Sequence, residues 1–145
     1  MSRTVRRLLE HKGYAIHAVQ PLDTVFRAVE AMAERGIGAL LVMEGDRLVG
    51  VLSERDYARQ VILRGRDSRN TAVGEIMTRD VICVEPDRDI EACMALMTEK
   101  RIRHLPVVEQ GHVIGVISIG DVVRAAIDDR DFHIQQLENY IATAG

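Results

Sequence analysis

Two heptapeptides carry the residue types best suited to chemistry, Gly50-Val51-Leu52-Ser53-Glu54-Arg55-Asp56 and Gly115-Val116-Ile117-Ser118-Ile119-Gly120-Asp121. In each, a serine is followed three residues later by an aspartate, the spacing of a helix capping box. The same spacing also suits a ligand. A helix N-terminus offers free N–H groups to a phosphate, with the serine hydroxyl beside them. One turn further in, a carboxylate can accept two hydrogen bonds from a ribose diol, as the acidic residue of dinucleotide folds does. Both readings stand, because a duplicated cap and a duplicated binding site look identical in sequence.

A second constellation, Lys100-Arg101-Ile102-Arg103-His104-Leu105-Pro106, lies where a helix hands over to a strand. Arg103 and His104 sit at the strand mouth, where long donors could reach a phosphate. A solvated basic helix end that complements the helix dipole would look the same. The equivalent stretch earlier in the chain is Arg35-Gly36-Ile37-Gly38-Ala39-Leu40-Leu41. There Gly38 leaves room for a ligand or for backbone, so one scaffold carries two different sites. Other chemistry is unsupported: there is no Gly-x-Ser-x-Gly and no nucleophile with a marked base. His11, His17, His104, His112 and His133 show no metal-ligand spacing. A non-enzymatic protein without catalytic residues, metal or catalytic cofactor is expected. Cys83, read in a strand, and Cys93, on an apolar helix face, are expected to be buried and inert.

The elements that must position these residues come in two copies. At an offset of 65 residues, 16–62 matches 81–127 without a gap, with identities such as Pro21/Pro86, Met32/Met97, Gly50/Gly115, Ser53/Ser118 and Asp56/Asp121. One supersecondary unit therefore occurs twice, each copy expected to bury its apolar face against the other. Each copy reads as a short strand ending at a proline (Ile16–Val19; Val81–Val84) and then a helix with Val25, Val29 and Met32, or Ile90, Cys93 and Met97, on one face. A hairpin follows (Ile37–Met43 with Leu48–Leu52; Ile102–Val108 with Val113–Ile117). A last helix starts near Ser53 or Ser118. The unit is β-α-β-β-α. Thr4 and Thr71 each precede a short capped helix. The expected layout is repeat one at 5–63, a linker at 64–74, repeat two at 75–128 and a helical tail at 129–145. The acidic run Asp128-Asp129 and Asp131 reads as a solvated linker into that tail. Phe132, Ile134, Leu137, Tyr140 and Ile141 form an apolar face of the tail helix, expected to pack on its own domain or on a second subunit.

Bulk composition narrows the function. At 145 residues the chain can bury roughly 68–70% of its unfolded surface and needs no disulfide or metal staple. An apolar fraction of 47% with 28% charged residues is that of a globular domain. A net charge of −3 and a pI near 5.9 argue against a general grip on nucleic acid or an anionic membrane. No apolar run approaches the ~18 residues of a membrane span and no signal-peptide core follows Met1. Two cysteines without a CxxC fit reduced thiols and a cytoplasmic location.

The duplication, the β-α-β-β-α unit, Arg101–Val108 (Arg-Ile-Arg-His-Leu-Pro-Val-Val) and Gly-Val-Ile-Ser-x-x-Asp together resemble a tandem cystathionine-β-synthase (CBS) domain pair, or Bateman module. Ser53–Arg59, Glu75–Thr78 and Cys93–Glu99 resemble the small stand-alone CBS-pair proteins. The resemblance implies an α/β (α+β) fold of two CBS repeats packed with pseudo-twofold symmetry, with short terminal helices. It further implies a regulatory module that binds AMP, ADP, ATP, NAD or S-adenosylmethionine in two inter-repeat clefts, forms a homodimer and signals to a separate protein partner. Carried over by position, site two uses Asp121 for the ribose diol and Ser118, Arg103 and His104 for phosphate, with Val19, Pro21, Ile37 and Gly38 around the base. Site one uses Asp56, Ser53 and Arg55, with Met77, Thr78, Val84, Pro86 and Ile102 around the base. Leu41 replaces the family's usual proline, and Gly120 stands where copy one has Arg55, so the sites are expected to differ in strength or phosphate length. Two other readings remain: an interaction module with vestigial clefts that acts through its tail, and a hydrolase of the bound nucleotide, for which no base or metal site is marked.

Overall fold

The computed structural model describes residues 3–144. Its order is α1 (Val5–Lys12), β1 (Ala18–Val19), α2 (Val25–Arg35), β2 (Ala39–Glu44), β3 (Arg47–Ser53) and α3 (Glu54–Tyr57), which runs on into a π-helical turn, Ala58–Ile62. Then come α4 (Val73–Ile76), α5 (Ile90–Lys100), β4 (His104–Glu109), β5 (His112–Ser118) and α6 (Ile119–Ala144). The fold is mixed α+β, with two small sheets. One has the order β1-β2-β3, with β1 parallel and β3 antiparallel to β2; the other is the β4-β5 hairpin. Both hairpins carry a register shift at the same repeat position, Val42/Met43 and Val107/Val108. The bulge is therefore a property of the repeated unit rather than a local accident.

Two compact units form, and they do not follow the sequence repeats. One comprises Ile16–Ile82; the other joins the chain through Ala15 to Cys83 onward. The helix that precedes copy one thus packs with copy two. Val5 and Arg6 donate backbone hydrogen bonds to Arg88 and Pro86, at 2.9 and 2.8 Å, and Arg3 accepts one from Ile90. The helix that precedes copy two packs with copy one in the same manner: Val73 and Gly74 donate to Asp23 and Pro21, at 2.8 and 2.9 Å, and Thr71 accepts from Val25. The physical cause lies in the side chains of these short helices. Val5, Leu8 and Leu9 are 0, 3 and 0% exposed, each burial being worth about 1.5–3 kcal/mol. Val73 and Ile76 belong to the core of the 16–82 unit, together with Val25, Met32 and Leu52.

Several local expectations need correcting. Copy two has no first strand among the described residues: Val84 alone bridges Val107, and Cys83 is exposed while Cys93 is buried. Partial burial still raises both thiols above their usual value. Residues 128–131 are not a linker, since α6 runs unbroken through them, and Asp129 pairs with Arg3 at 3.2 Å. Consecutive helical residues turn by about 100°, which puts Phe132 on the side of α6 opposite Ile134 and Ile141 instead of beside them. The cap of α4 also differs in detail: Ala72, not Thr71, is its N-cap, and the Glu75 carboxylate accepts the Ala72 N–H at 2.7 Å. Thr71 is instead buried, its hydroxyl donating to the Asp67 carbonyl at 2.7 Å.

Candidate functional site

Both serine–aspartate pairs are built at the junction of a hairpin strand and a helix. Strand β3 ends at Ser53, whose extended backbone (φ −113°, ψ 164°) releases the first helical N–H groups. The Asp56 N–H donates to the Ser53 hydroxyl at 3.1 Å, and Asp56 Oδ2 accepts from the Ser53 N–H and hydroxyl at 2.9 and 3.0 Å. In the other unit the Asp121 N–H donates to Ser118 Oγ at 3.2 Å, and the Ser118 N–H donates to Asp121 Oδ2 at 2.8 Å. The capping reading is thus correct for both copies. The strand mouth completes each corner: Glu54 N–H donates to the Gly38 carbonyl at 3.0 Å, and Ile119 N–H donates to the Arg103 carbonyl at 2.8 Å.

A cap uses one carboxylate oxygen and one hydroxyl; both aspartates do more. Asp56 Oδ1 accepts from the Thr78 hydroxyl at 3.3 Å, on the segment that follows α4. Asp121 Oδ2 accepts from Lys12 Nζ at 2.6 Å, at the end of α1, and the same ammonium donates to the Val116 carbonyl at 2.6 Å. Arg124 stands 3.8 Å from the other Asp121 oxygen. Burial alone would raise the Asp121 carboxyl; the Lys12 ammonium and the Ser118 N–H outweigh it and hold the group below its usual value. Beside this pair an open pocket of about 160 Å³ is lined by Lys12, Asp121 and Arg124 with His11, Leu8 and Asp128 among others.

The remaining expected site residues divide between the units. Ser53, Arg55, Asp56, Met77 and Thr78 share the 16–82 unit, whereas Ser118, Asp121, Arg103 and His104 share the other. Val19, Pro21, Ile37 and Gly38, expected around the base of site two, belong to the 16–82 unit; Val84, Pro86 and Ile102, expected in site one, belong to the other. Val19 and Ile37 pack on their own core. Pro86 accepts a backbone hydrogen bond from Arg6. His104 pairs in register with Ser118, and Arg103 is exposed. Lys12 was not among the expected residues, because it lies outside the aligned block 16–62/81–127 and no repeat partner marks it. Gly50 and Gly115 had a signal, being identical in both copies inside strands. A Cβ on Gly115 would meet Leu9 Cδ2 at 2.8 Å, and one on Gly50 would meet Met77 Sδ at 2.6 Å. Each glycine is the floor on which a swapped segment rests.

Two strand–helix corners with a shared Gly-Val-x-Ser-x-x-Asp, on two copies of one unit, define a tandem-repeat module. The CBS domain family model matches residues 4–62 and again 73–128, and the chain belongs to the CBS-domain family. It is 44% identical over 124 residues to the mitochondrial CBS domain-containing protein CBSX3 of Arabidopsis thaliana, covering 82% of this chain and 60% of that one. It is 33% identical to CBS domain-containing protein YhcV of Bacillus subtilis, covering 74% and 76%. The chain therefore spans somewhat under two thirds of the plant relative's length. Among solved structures, a CBS-domain protein from Burkholderia ambifaria is 51% identical, with a TM-score of 0.85 over 88% of this chain and 96% of that one. A hexameric CBS-CP12 protein from bloom-forming cyanobacteria is 27% identical, with a TM-score of 0.74 over 85% and 71%. No helix among the described residues is long and apolar enough to cross a membrane.

Proposed function

We propose that this chain is a non-catalytic regulatory module that binds adenine nucleotides at its serine–aspartate corners and passes occupancy to a separate protein. The supporting observation is that each aspartate, already fixed by its serine, also meets a donor from a segment swapped in from elsewhere in the chain: Thr78 at Asp56, Lys12 at Asp121. A carboxylate held rigid by its serine can accept hydrogen bonds from a ribose diol, and Lys12, Arg124 and His11 around one pocket are suited to phosphate. Membership of the CBS-domain family supports the same reading. The ligand class is AMP, ADP, ATP, NAD or S-adenosylmethionine.

The test is thermal denaturation with AMP, ADP, ATP, NAD and S-adenosylmethionine, each nucleotide beside its 2′-deoxy form where one exists. A ligand at a hundredfold excess over Kd should stabilise the fold by about 2.7 kcal/mol, and the deoxy forms should stabilise it less. Asp121→Asn and Asp56→Asn should each weaken one site at least ~10-fold, which is 1.4 kcal/mol. Equal shifts with ribose and deoxyribose would remove the role given to the aspartates. No shift with any of the five would overturn the reading and favour an interaction module, for which the exposed far end of α6 is the supporting feature.

A further inference from the structure

The two corners present the same pair of acceptors to two unlike donors. In copy one the acceptors are the Val51 carbonyl and the Asp56 carboxylate. Thr78 serves both, its N–H donating to Val51 at 2.9 Å and its hydroxyl to Asp56 at 3.3 Å. The Thr78 carbonyl in turn accepts from the Val51 N–H at 3.0 Å, so a two-bond bridge fixes this donor through its backbone. In copy two the acceptors are the Val116 carbonyl and the Asp121 carboxylate, at the same repeat positions, and the Lys12 ammonium serves both at 2.6 Å. Lys12 is the last residue of α1 and its side chain is 35% exposed. Its ammonium rides on a flexible four-carbon stem. Arg79, the first cation after α4, donates instead to the Gly74 carbonyl at 2.9 Å. One donor is thus neutral and fixed by backbone, the other charged and movable.

Resting on the nucleotide reading above, we propose that Lys12 is a displaceable counter-ion. It restricts the Asp121 corner to diol ligands that also carry an anionic group, while the Asp56 corner takes uncharged ones as well. Each carboxylate oxygen accepts about two hydrogen bonds. Asp121 Oδ2 already accepts from the Ser118 N–H and from Lys12 Nζ, so a diol spanning both oxygens must take the place of the ammonium. An uncharged nucleoside offers the displaced ammonium no new partner, and a charge-assisted bond is exchanged for a weaker one. A phosphate-bearing ligand supplies a second anion, in the pocket where His11 and Arg124 also stand. No charge has to move at Asp56. The donors that yield there are the Ser53 and Thr78 hydroxyls, which rotate aside while the backbone bridge of Thr78 stays intact.

Calorimetric titration of the full-length protein with adenosine and with AMP tests this, since the two ligands differ only in the phosphate. Asp56→Asn isolates the Asp121 corner, where AMP should bind at least ~10-fold more tightly than adenosine. Adding Lys12→Met should tighten adenosine at least ~3-fold, the worth of a partly exposed ion pair, and should weaken AMP. Lys12→Gln, uncharged but polar, should act in the same way, and Lys12→Arg should keep the preference for AMP. Melting curves of the unliganded variants check that each is folded. In Asp121→Asn, which isolates the other corner, adenosine should bind and Lys12→Met should change neither affinity. Unchanged adenosine affinity in both uncharged variants would overturn the counter-ion and leave Lys12 a phosphate contact only. AMP binding that tightens together with adenosine would overturn the passage of the ammonium to the phosphate. No binding of either ligand to the unsubstituted protein would instead overturn the nucleotide reading, and this inference with it.

Discussion

Asp56 and Asp121 stand at the same position of the two copies, each locked to a serine three residues earlier, yet one meets a threonine hydroxyl and the other a lysine ammonium. The strands beneath them differ in the same sense. Gly50 supports the thioether of Met77, a flexible side chain, while Gly115 supports the branched end of Leu9, which is fully buried. At the helix ends leading into the hairpins, Gly36 holds a left-handed backbone (φ 64°) that copy two assigns to Arg101 (φ 55°). The duplication preserved backbone corners and let side chains diverge. Two copies of one unit thereby carry chemically distinct corners, one neutral at its carboxylate's second partner and one cationic.

The largest expected effect breaks that comparison at the swapped helices. Leu9→Ala should cost about 2–5 kcal/mol, measured as a shift in the urea midpoint. Met77→Ala should cost less, because Met77 keeps 9% exposure where Leu9 has none and an unbranched thioether fills its site less specifically. Equal losses would mean that the two segments are anchored alike.

A smaller effect separates the two aspartates by pH. Lys12 holds the folded Asp121 carboxyl below its unfolded value, so its stabilisation is complete above the unfolded value and is lost as pH falls through the folded one. Lys12→Met should cost about 1 kcal/mol at neutral pH, the upper range for a partly exposed pair. Little of that difference should remain once the carboxyl is protonated. Melting temperatures of wild type and variant taken from pH 7 down to below the carboxylate range should therefore converge; parallel curves would show that Lys12 acts through packing alone.

The smallest effect is at the helix ends. Left-handed backbone costs a non-glycine residue about 1–2 kcal/mol, offset in part by the unfolded-state freedom that glycine adds. Arg101→Gly should stabilise the protein by up to about 1 kcal/mol and Gly36→Ala should destabilise it by a similar amount. A loss of stability in Arg101→Gly would show that contacts of the arginine side chain outweigh the strain.

The repeat was legible from residue identities because the unit is held by local chemistry. Serine and aspartate three apart make the cap, alternation makes the hairpin and the 3.6-residue period makes α2 and α5, each within a few residues of itself. The tertiary structure decided which pieces belong together. Val5, Leu8 and Leu9 say that α1 must bury a face, but not against which copy. Nothing in the spacing of Lys12 links it to Asp121, 109 residues on. A burial requirement is written in one segment, whereas its partner is chosen by the shape and free hydrogen-bonding edge of another, and that choice exists only once both are folded. Likewise the acidic run at 128–131 reads as a break because it is polar. It is helix because α6 is anchored by Val122 and Ala125 and by the Asp129–Arg3 ion pair, while the other charged side chains of the run face water.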